Sequence, residues 1–271
     1  MVSLRDSLKG RLSSKELEVL PRAFDIIGNI AIFSEFPKEL EKKEKIIGNV
    51  LIKLNKNIRT VAKKTKVHGG KYRTKKIKII AGEDKKETLH KENGAAVKLD
   101  VEKCYFSPRL GSERLRIARL VKRGEDILVM FSGVGIYPLV IAKNSDAKEV
   151  YGIELNPIAH RYAAENVRLN KTRNVFLIKG DVKKEAAKLK KKFDRIIMPL
   201  PKSAGDFLDC ALAAAKKNAV IHLYDFEHED EIENALEKVK NKVRKFKLLN
   251  VVKCGQYAPG AYRVCVDFKL Q

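Results

Sequence analysis

Nowhere is this 271-residue chain apolar over a stretch long enough to cross a bilayer, and no secretory leader opens it, so it reads as a soluble, cytoplasmic protein with no membrane partner. Its four cysteines, Cys104, Cys210, Cys254 and Cys265, form no Cys-x-x-Cys pair. Each sits among apolar neighbours, which argues against a zinc site or a disulfide framework and predicts core thiols with no metal. No internal repeat and no low-complexity tail is present. Acid is scarce: 34 Asp and Glu stand against 57 Lys and Arg, a net charge of +23. That excess suits a polyanionic partner, nucleic acid, because a thermophilic lysine bias would raise glutamate as well. The length suffices for one large domain and a smaller one.

The stretch that organises the rest lies at 126–137. Residues 127–131 are an apolar run that breaks into Ser132-Gly133-Val134-Gly135 and resumes over 136–142. This is the pattern of a buried strand, a tight glycine turn and a helix. Glycine lets the backbone approach a ligand, and the helix start offers unpaired N–H groups. The third glycine of the dinucleotide fingerprint is missing, so this unit alone is more often a tight connection than a nucleotide cradle. A second strand over 150–155 favours the cradle, since it places Glu154 about twenty residues after the glycines, where an acid binds ribose hydroxyls. Asn156-Pro157 then begins a helix. Strands over 175–179 and 193–198 end in Gly180-Asp181 and Pro199-Leu200-Pro201. Open α/β sheets bind ligands at such carboxyl ends.

In chain order, 1–20 reads as a helical extension with a cap at Ser13 to Glu16, 21–100 as a small α/β domain and 101–271 as the large α/β domain. Within the small domain, 23–33 predicts two short strands about Gly28-Asn29, and 37–54 an amphipathic helix with Leu40, Ile46, Ile47 and Leu51 inward. Residues 53–78 are unusually cationic and include Lys66. The alternation Lys76-Ile77-Lys78-Ile79-Ile80 predicts a strand with one basic side able to track phosphates. Asn93-Gly94 predicts a hairpin over 87–101. The stretch 105–114 mixes an aromatic, two arginines and a carboxylate ahead of a helix at 115–121. Two readings stay open there: a loop over a pocket, or an ordinary helix start with Ser112 as N-cap. Further on, a helix runs from Ser203 to 218, a fifth strand covers 219–224, a charged helix covers 227–246, and an antiparallel pair at 249–254 and 262–270 closes the sheet.

Taken together, Tyr105-Phe106-Ser107-Pro108-Arg109, Ser112-Glu113-Arg114, Met130-Phe131-Ser132-Gly133-Val134-Gly135, Glu154-Leu155-Asn156-Pro157, Gly180-Asp181-Val182 and Pro199-Leu200-Pro201-Lys202-Ser203 resemble the archaeal and eukaryal tRNA (guanine-37 N1)-methyltransferase family. The resemblance spans about residues 22–270. It implies a class I, Rossmann-like, S-adenosylmethionine-dependent methyltransferase domain behind a small α/β RNA-binding domain, acting as a monomer on the tRNA anticodon loop at position 37. By the same resemblance Glu113 is the general base and Arg114 lies by the cofactor. Arg73 approaches the target guanine or its phosphate, Tyr105 stands beside the methyl donor, and Phe131, Glu154, Asp181 and Val182 contact adenosine on a loop turned by Gly133 and Gly135.

The chemistry asks for such groups. Guanine N1 carries a proton at neutral pH, so a carboxylate must take it, and a cation at O6, Arg73 or Arg109, should stabilise the charge developing there. The target base must leave its stack, which aromatic surfaces such as Tyr105 and Tyr137 assist. The chain departs from the family at Val129, where relatives have Asp, and at Pro199, where most have Asn. Proline there resembles an archaeal subgroup that also methylates C7 of 4-demethylwyosine in tRNA(Phe). The chain also lacks the extra N-terminal module of many relatives, which implies looser discrimination among tRNAs. The alternatives are a wybutosine-type aminocarboxypropyl transferase and a non-catalytic tRNA-binding protein.

Overall fold

The computed structural model of the protein describes residues 3–201 and 204–271, with the side chains of 66–68 left aside. Expectations for the side chain of Lys66 and for Lys202 and Ser203 lie outside the described residues. The chain forms two units, Met1–Lys91 with Lys98–Pro108 and Glu92–Val97 with Arg109–Gln271.

The first unit opens with two one-turn helices, α1 (Leu4–Leu8) and α2 (Ser14–Glu18). The Ser13 hydroxyl accepts from the Glu16 N–H while the Glu16 carboxylate accepts from the Ser13 N–H, the reciprocal cap the sequence predicts. A hairpin of β1 (Asp25–Ile27) and β2 (Ile30–Phe33) follows, then α3 (Glu44–Leu54), β3 (Thr60–Gly69) and β4 (Thr74–Gly82). The sheet order is β1-β2-β3-β4, with β2 and β3 parallel through the α3 crossover. Its core gathers Leu8, Phe33, Leu40, Ile47, Leu51, Val61 and Ile80. Ile46, expected inward, is exposed at 37%. The apolar stripe of α3 runs through Ile47, Val50 and Leu51, and Ile46 falls off it.

On β4, Lys76 and Lys78 face outward and Ile77 and Ile80 inward, as the alternation predicts. Lys75 lies on the inward face with Ile77. It is buried, and desolvation pulls its pKa down to about 8, with the neighbouring charge of Lys64 adding to the effect. The ribbon of β5 (Glu87–Glu92) and β6 (Ala95–Asp100) turns through Asn93 and Gly94, both at positive φ, as an Asn-Gly hairpin requires.

The second unit begins with α4 (Gly111–Leu120) and continues through β7 (Asp126–Met130), α5 (Ile136–Asn144), β8 (Glu149–Glu154), α6 (Pro157–Asn170), β9 (Val175–Lys179), α7 (Val182–Lys188) and β10 (Phe193–Met198). It ends with α8 (Leu208–Ala214), β11 (Ala215–His228), α9 (Glu233–Lys240), β12 (Phe246–Ala258) and β13 (Ala261–Leu270). The sheet order is β12-β13-β11-β10-β7-β8-β9. All neighbours from β9 to β11 are parallel, and β13 is inserted antiparallel between β11 and β12. Every residue of β7 is buried, as a central parallel strand covered on both faces must be.

Four expectations are corrected. The helix drawn from 203 to 218 is a single 3-10 turn (Ala204–Phe207) and α8, and β11 begins at Ala215 because its register with β10 starts opposite Phe193. The charged helix drawn over 227–246 shrinks to α9, since β11 runs on to His228 and β12 starts at Phe246. Glu227 reads in the sequence as the first residue of that helix. It and Asp225 are buried strand residues, with Lys238 at 2.7 and 2.6 Å from them. Finally, Leu110 rather than Ser112 caps α4, and Cys210 and Cys254 are only half-buried, unlike Cys104 and Cys265.

Candidate functional site

Four residues of the second unit fall in one row at the carboxyl edge of the sheet. Met130 lies opposite Ile153, Val129 opposite Ile197 and Met198 opposite Leu223. The next residue on each strand is therefore Phe131, Glu154, Pro199 and Tyr224, and Asp181 stands just past the end of β9. This is the edge where doubly wound sheets hold nucleotides.

The loop between β7 and α5 is wound in the left-handed region three times in five residues, at Phe131 (φ 60°), Gly133 (58°) and Gly135 (85°). An aromatic residue in that region costs about 1–3 kcal/mol, a strain found where backbone must follow a ligand. The Phe131 ring packs edge-on against Phe207 at 4.8 Å. At Gly135 a Cβ would meet the Cβ of Ala163 at 3.2 Å, so glycine also permits the close passage of α6. The loop is tied down by the Ser132 N–H donating to the Ile153 carbonyl at 2.9 Å and by the Asn166 side chain donating to the Val134 carbonyl at 3.0 Å.

Glu154 receives two backbone donors, the Gly133 N–H on Oε2 and the Asn156 N–H on Oε1, each at 2.7 Å. Burial raises its pKa, and these donors oppose the rise. The Leu155 N–H acts in the same sense, and a carboxylate with about four acceptor positions still has room for a hydroxyl donor such as that of a ribose. Asp181 caps α7 by accepting the Lys183 N–H at 2.9 Å, and Val182 behind it is buried. Ser132 Oγ is buried under the loop with no partner. The left-handed loop, Glu154 and the Asp181-Val182 corner fit the adenosyl half of S-adenosylmethionine. Val129, where the family resemblance implies an Asp, is fully buried in β7.

Glu113, in the first turn of α4, is buried at 4% exposure. Its Oε1 receives the Tyr224 hydroxyl at 2.5 Å and Arg116 Nη2 at 2.8 Å, while its Oε2 receives Arg116 Nε at 2.7 Å. Because Tyr224 belongs to the carboxyl-edge row, Glu113 stands at that row too. Arg114 is committed elsewhere, donating through Nε and Nη2 to Glu92 at 2.5 and 2.7 Å, and its guanidinium lies 5.8 Å from the centre of the Tyr137 ring. Arg109 is exposed in a 3-10 turn (Pro108–Leu110). In the first unit, Arg73 sits in the turn before β4 with φ 49°. Burial lowers its pKa, and Tyr105 opposes the change, so these two expected residues are neighbours.

Sequence reasoning missed the groups behind Glu113. Arg116 also donates from Nη1 to Asp267 Oδ2 at 2.6 Å, and His222 Nδ1 meets Asp267 Oδ1 at 2.5 Å. His222 Nε2 faces Arg195 Nη1 at 2.8 Å, and Arg195 is paired with Glu125. An arginine on Nε2 makes that nitrogen the acceptor, so His222 is neutral with its proton on Nδ1. Burial lowers its pKa accordingly. His222, Cys265 and Asp267 bring three possible ligand atoms within 4.8 Å, but the guanidiniums of Arg116 and Arg195 already supply positive charge there. The signal available in the sequence was a lone polar residue inside each of two apolar strands, Ile221-His222-Leu223 and Val266-Asp267-Phe268.

A seven-stranded α/β sheet with its last strand inserted antiparallel, and a glycine loop and an acid at its carboxyl edge, defines the class I methyltransferase fold. Residues 88–252 match the TRM5/TYW2 methyltransferase domain and residues 4–85 match the TYW2 N-terminal domain. The chain belongs to the TRM5/TYW2 methyltransferase family. It is 41% identical to the tRNA (guanine(37)-N(1))-methyltransferase Trm5b of Pyrococcus abyssi over 93% of this chain and 76% of that one. The crystal structure of that relative superposes with a TM-score of 0.86 at 40% identity, covering 95% of this chain and 78% of the relative. It is 34% identical to the tRNA (guanine(37)-N(1))/4-demethylwyosine(37)-methyltransferase Taw22 of Nanoarchaeum equitans, over 92% and 99% of the two chains. The structure of M. jannaschii TYW2 in complex with AdoMet aligns at a TM-score of 0.68 and 31% identity, over 91% and 98%.

Proposed function

We propose that this protein is a tRNA methyltransferase that uses S-adenosylmethionine to methylate N1 of guanosine-37 and, in tRNA(Phe), C7 of 4-demethylwyosine. The observation that carries the reading is the row Phe131, Glu154, Pro199 and Tyr224 at the carboxyl edge, in a chain related over most of its length to enzymes named for both reactions. S-adenosylmethionine, when bound, supplies an electrophilic methyl on a sulfonium. Glu154 accepts from the ribose hydroxyls, Phe131, Asp181 and Val182 bound the adenine, and Gly133 and Gly135 let the backbone close on it. Arg114, tied to Glu92, fixes the first turn of α4.

Either product replaces one ring proton by a methyl group, so either reaction needs a base. Glu113 is that base. Arg73 or Arg109 as donor to O6, and Tyr105 as an aromatic surface for the extruded purine, enter on the strength of the motifs alone. Pro199 has no backbone N–H and no polar side-chain atom, so it donates no hydrogen bond to the base edge and commits the site less to one purine. The net charge of +23 suits a phosphate-rich substrate. No helix among the described residues is long and apolar enough to span a membrane.

The test is nucleoside mass spectrometry on tRNA(Phe) bearing guanosine, adenosine or 4-demethylwyosine at position 37, with Pro199→Asn in parallel. Methylation of the guanosine and 4-demethylwyosine substrates, with the second activity lost in the variant, is the expected result. No product on 4-demethylwyosine would end the bifunctional part of the reading. The match of residues 4–85 to a TYW2 domain favours aminocarboxypropyl transfer as a second reading, and the mass of the added group separates the two.

A further inference from the structure

Arg116 is shared between two carboxylates. Nε and Nη2 hold Glu113 at 2.7 and 2.8 Å, while Nη1 and Nη2 hold Asp267 at 2.6 and 3.3 Å. Asp267 is 2% exposed and is itself oriented by neutral His222, which rests on Arg195 and through it on Glu125. Burial alone would raise the Asp267 pKa, but the hydrogen bond from His222 and the pairing with Arg116 hold it well below the usual carboxylate range. Asp267 therefore stays ionised whatever happens at Glu113.

That arrangement answers a problem built into a base of this kind. If Glu113 were the sole partner of Arg116, taking a proton would leave a partly buried guanidinium, its side chain 25% exposed, without a counter-charge, which disfavours the transfer. The reverse also holds: an arginine pointed only at Glu113 would stabilise its ionised form and make it a weak base. We propose that Asp267 is a positioning and charge-compensating residue that keeps Arg116 paired while Glu113 accepts the substrate proton, with His222 holding Asp267 in register. The proposal rests on the reading of Glu113 as the base. The remaining groups facing Glu113 are Tyr224 on β11, Cys265 on β13, Tyr137 on α5 and the adjacent Arg114. Burial raises the Tyr137, Tyr224 and Cys265 pKa values, so these three stay neutral across the working range.

Two variants push in opposite directions. Asp267→Asn keeps the shape and the acceptor for His222 but removes the second charge, so Arg116 acts on Glu113 alone. Its single-turnover rate constant should fall about tenfold, and the acid limb of its pH profile should move down by about one unit. Arg116→Lys keeps the charge but cannot bridge two carboxylates, so Glu113 is held less firmly and its acid limb should move up. A purely structural role would lower rates without displacing the limbs in opposite senses. Calorimetry with S-adenosylmethionine reports whether each variant is folded. Unshifted limbs in folded variants overturn the proposal, and so does loss of cofactor binding in both, which would make the network a folding scaffold. Glu113→Gln separates the two levels: if it keeps wild-type turnover, the base reading has failed, whereas if it is inactive and the limbs of the other variants are unshifted, only the compensation has failed.

Discussion

The Glu154 carboxylate receives the Gly133 N–H at 2.7 Å, so the acid at the end of β8 and the glycine turn after β7 are one unit. The acid that would hold a ribose also fixes the loop that would pass beneath it. Glu154→Gln turns an N–H toward either the Gly133 or the Asn156 N–H, setting donor against donor. Loss of this charged acceptor should weaken S-adenosylmethionine binding by about 1.5–3 kcal/mol, more than tenfold in Kd. Titration calorimetry checks this, and an unchanged Kd would remove Glu154 from the site.

Gly135→Ala places a Cβ on a residue at φ 85° and 3.2 Å from the Ala163 Cβ. The left-handed backbone costs about 1–2 kcal/mol for alanine, and the contact with α6 adds to it. Thermal unfolding should show a drop in Tm of several degrees, on the order of 2–4 °C per kcal/mol. A variant as stable as the parent would show that the loop relaxes.

Asn170, at the end of α6, acts as a strand partner for Ala96. Its Oδ1 accepts the Ala96 N–H at 2.9 Å and its Nδ2 donates to the Ala96 carbonyl at 2.6 Å. Asn170→Ala leaves both backbone groups without these partners and should cost about 1–3 kcal/mol. Asn170→Asp should cost more, since it sets a carboxylate against a carbonyl. Hydrogen exchange at the Ala96 amide, with Tm alongside, distinguishes this from a general loss of stability.

The His222 imidazole titrates at lower pH in the folded protein than its ordinary value of 6.5, because burial disfavours its charged form more than Asp267 favours it. Below pH 6.5 the unfolded chain gains a proton on this side chain that the folded chain does not, so stability present above that pH is lost as the pH falls. Tm should therefore decline on acidification from about pH 7.5 to 5.5, and His222→Gln should flatten that part of the curve. A variant with an unchanged slope would place the titration elsewhere.

Much of the large unit is written in local sequence. The strands at 175–179 and 193–198 fall where the apolar runs end, and Asn156-Pro157 caps α6 as its residue types demand. The Glu154, Gly133 and Gly135 cluster was legible because a strand, a glycine turn and a terminal acid recur at short range. Glu227 was misread as a helix residue because its partner, Lys238, sits on the next helix. The Arg116 bridge was half legible: Glu113 and Arg116 lie three residues apart on one helix, but Asp267 is 151 residues from Arg116.

The sequence by itself determined the basic charge, the strands β7 to β10, the Asn93-Gly94 turn and the glycine loop, because each depends on residue type and neighbours within a few positions. Tertiary structure alone decided that the last strand enters the sheet beside β11, and with it that Asp267 lies against Arg116 and His222. Strand insertion is settled by long-range pairing, and no local preference of β13 selects between β11 and an outer edge. A buried charge is acceptable only where the completed fold supplies its counter-charge, so the setting of Glu113 does not exist until β11 and β13 have paired.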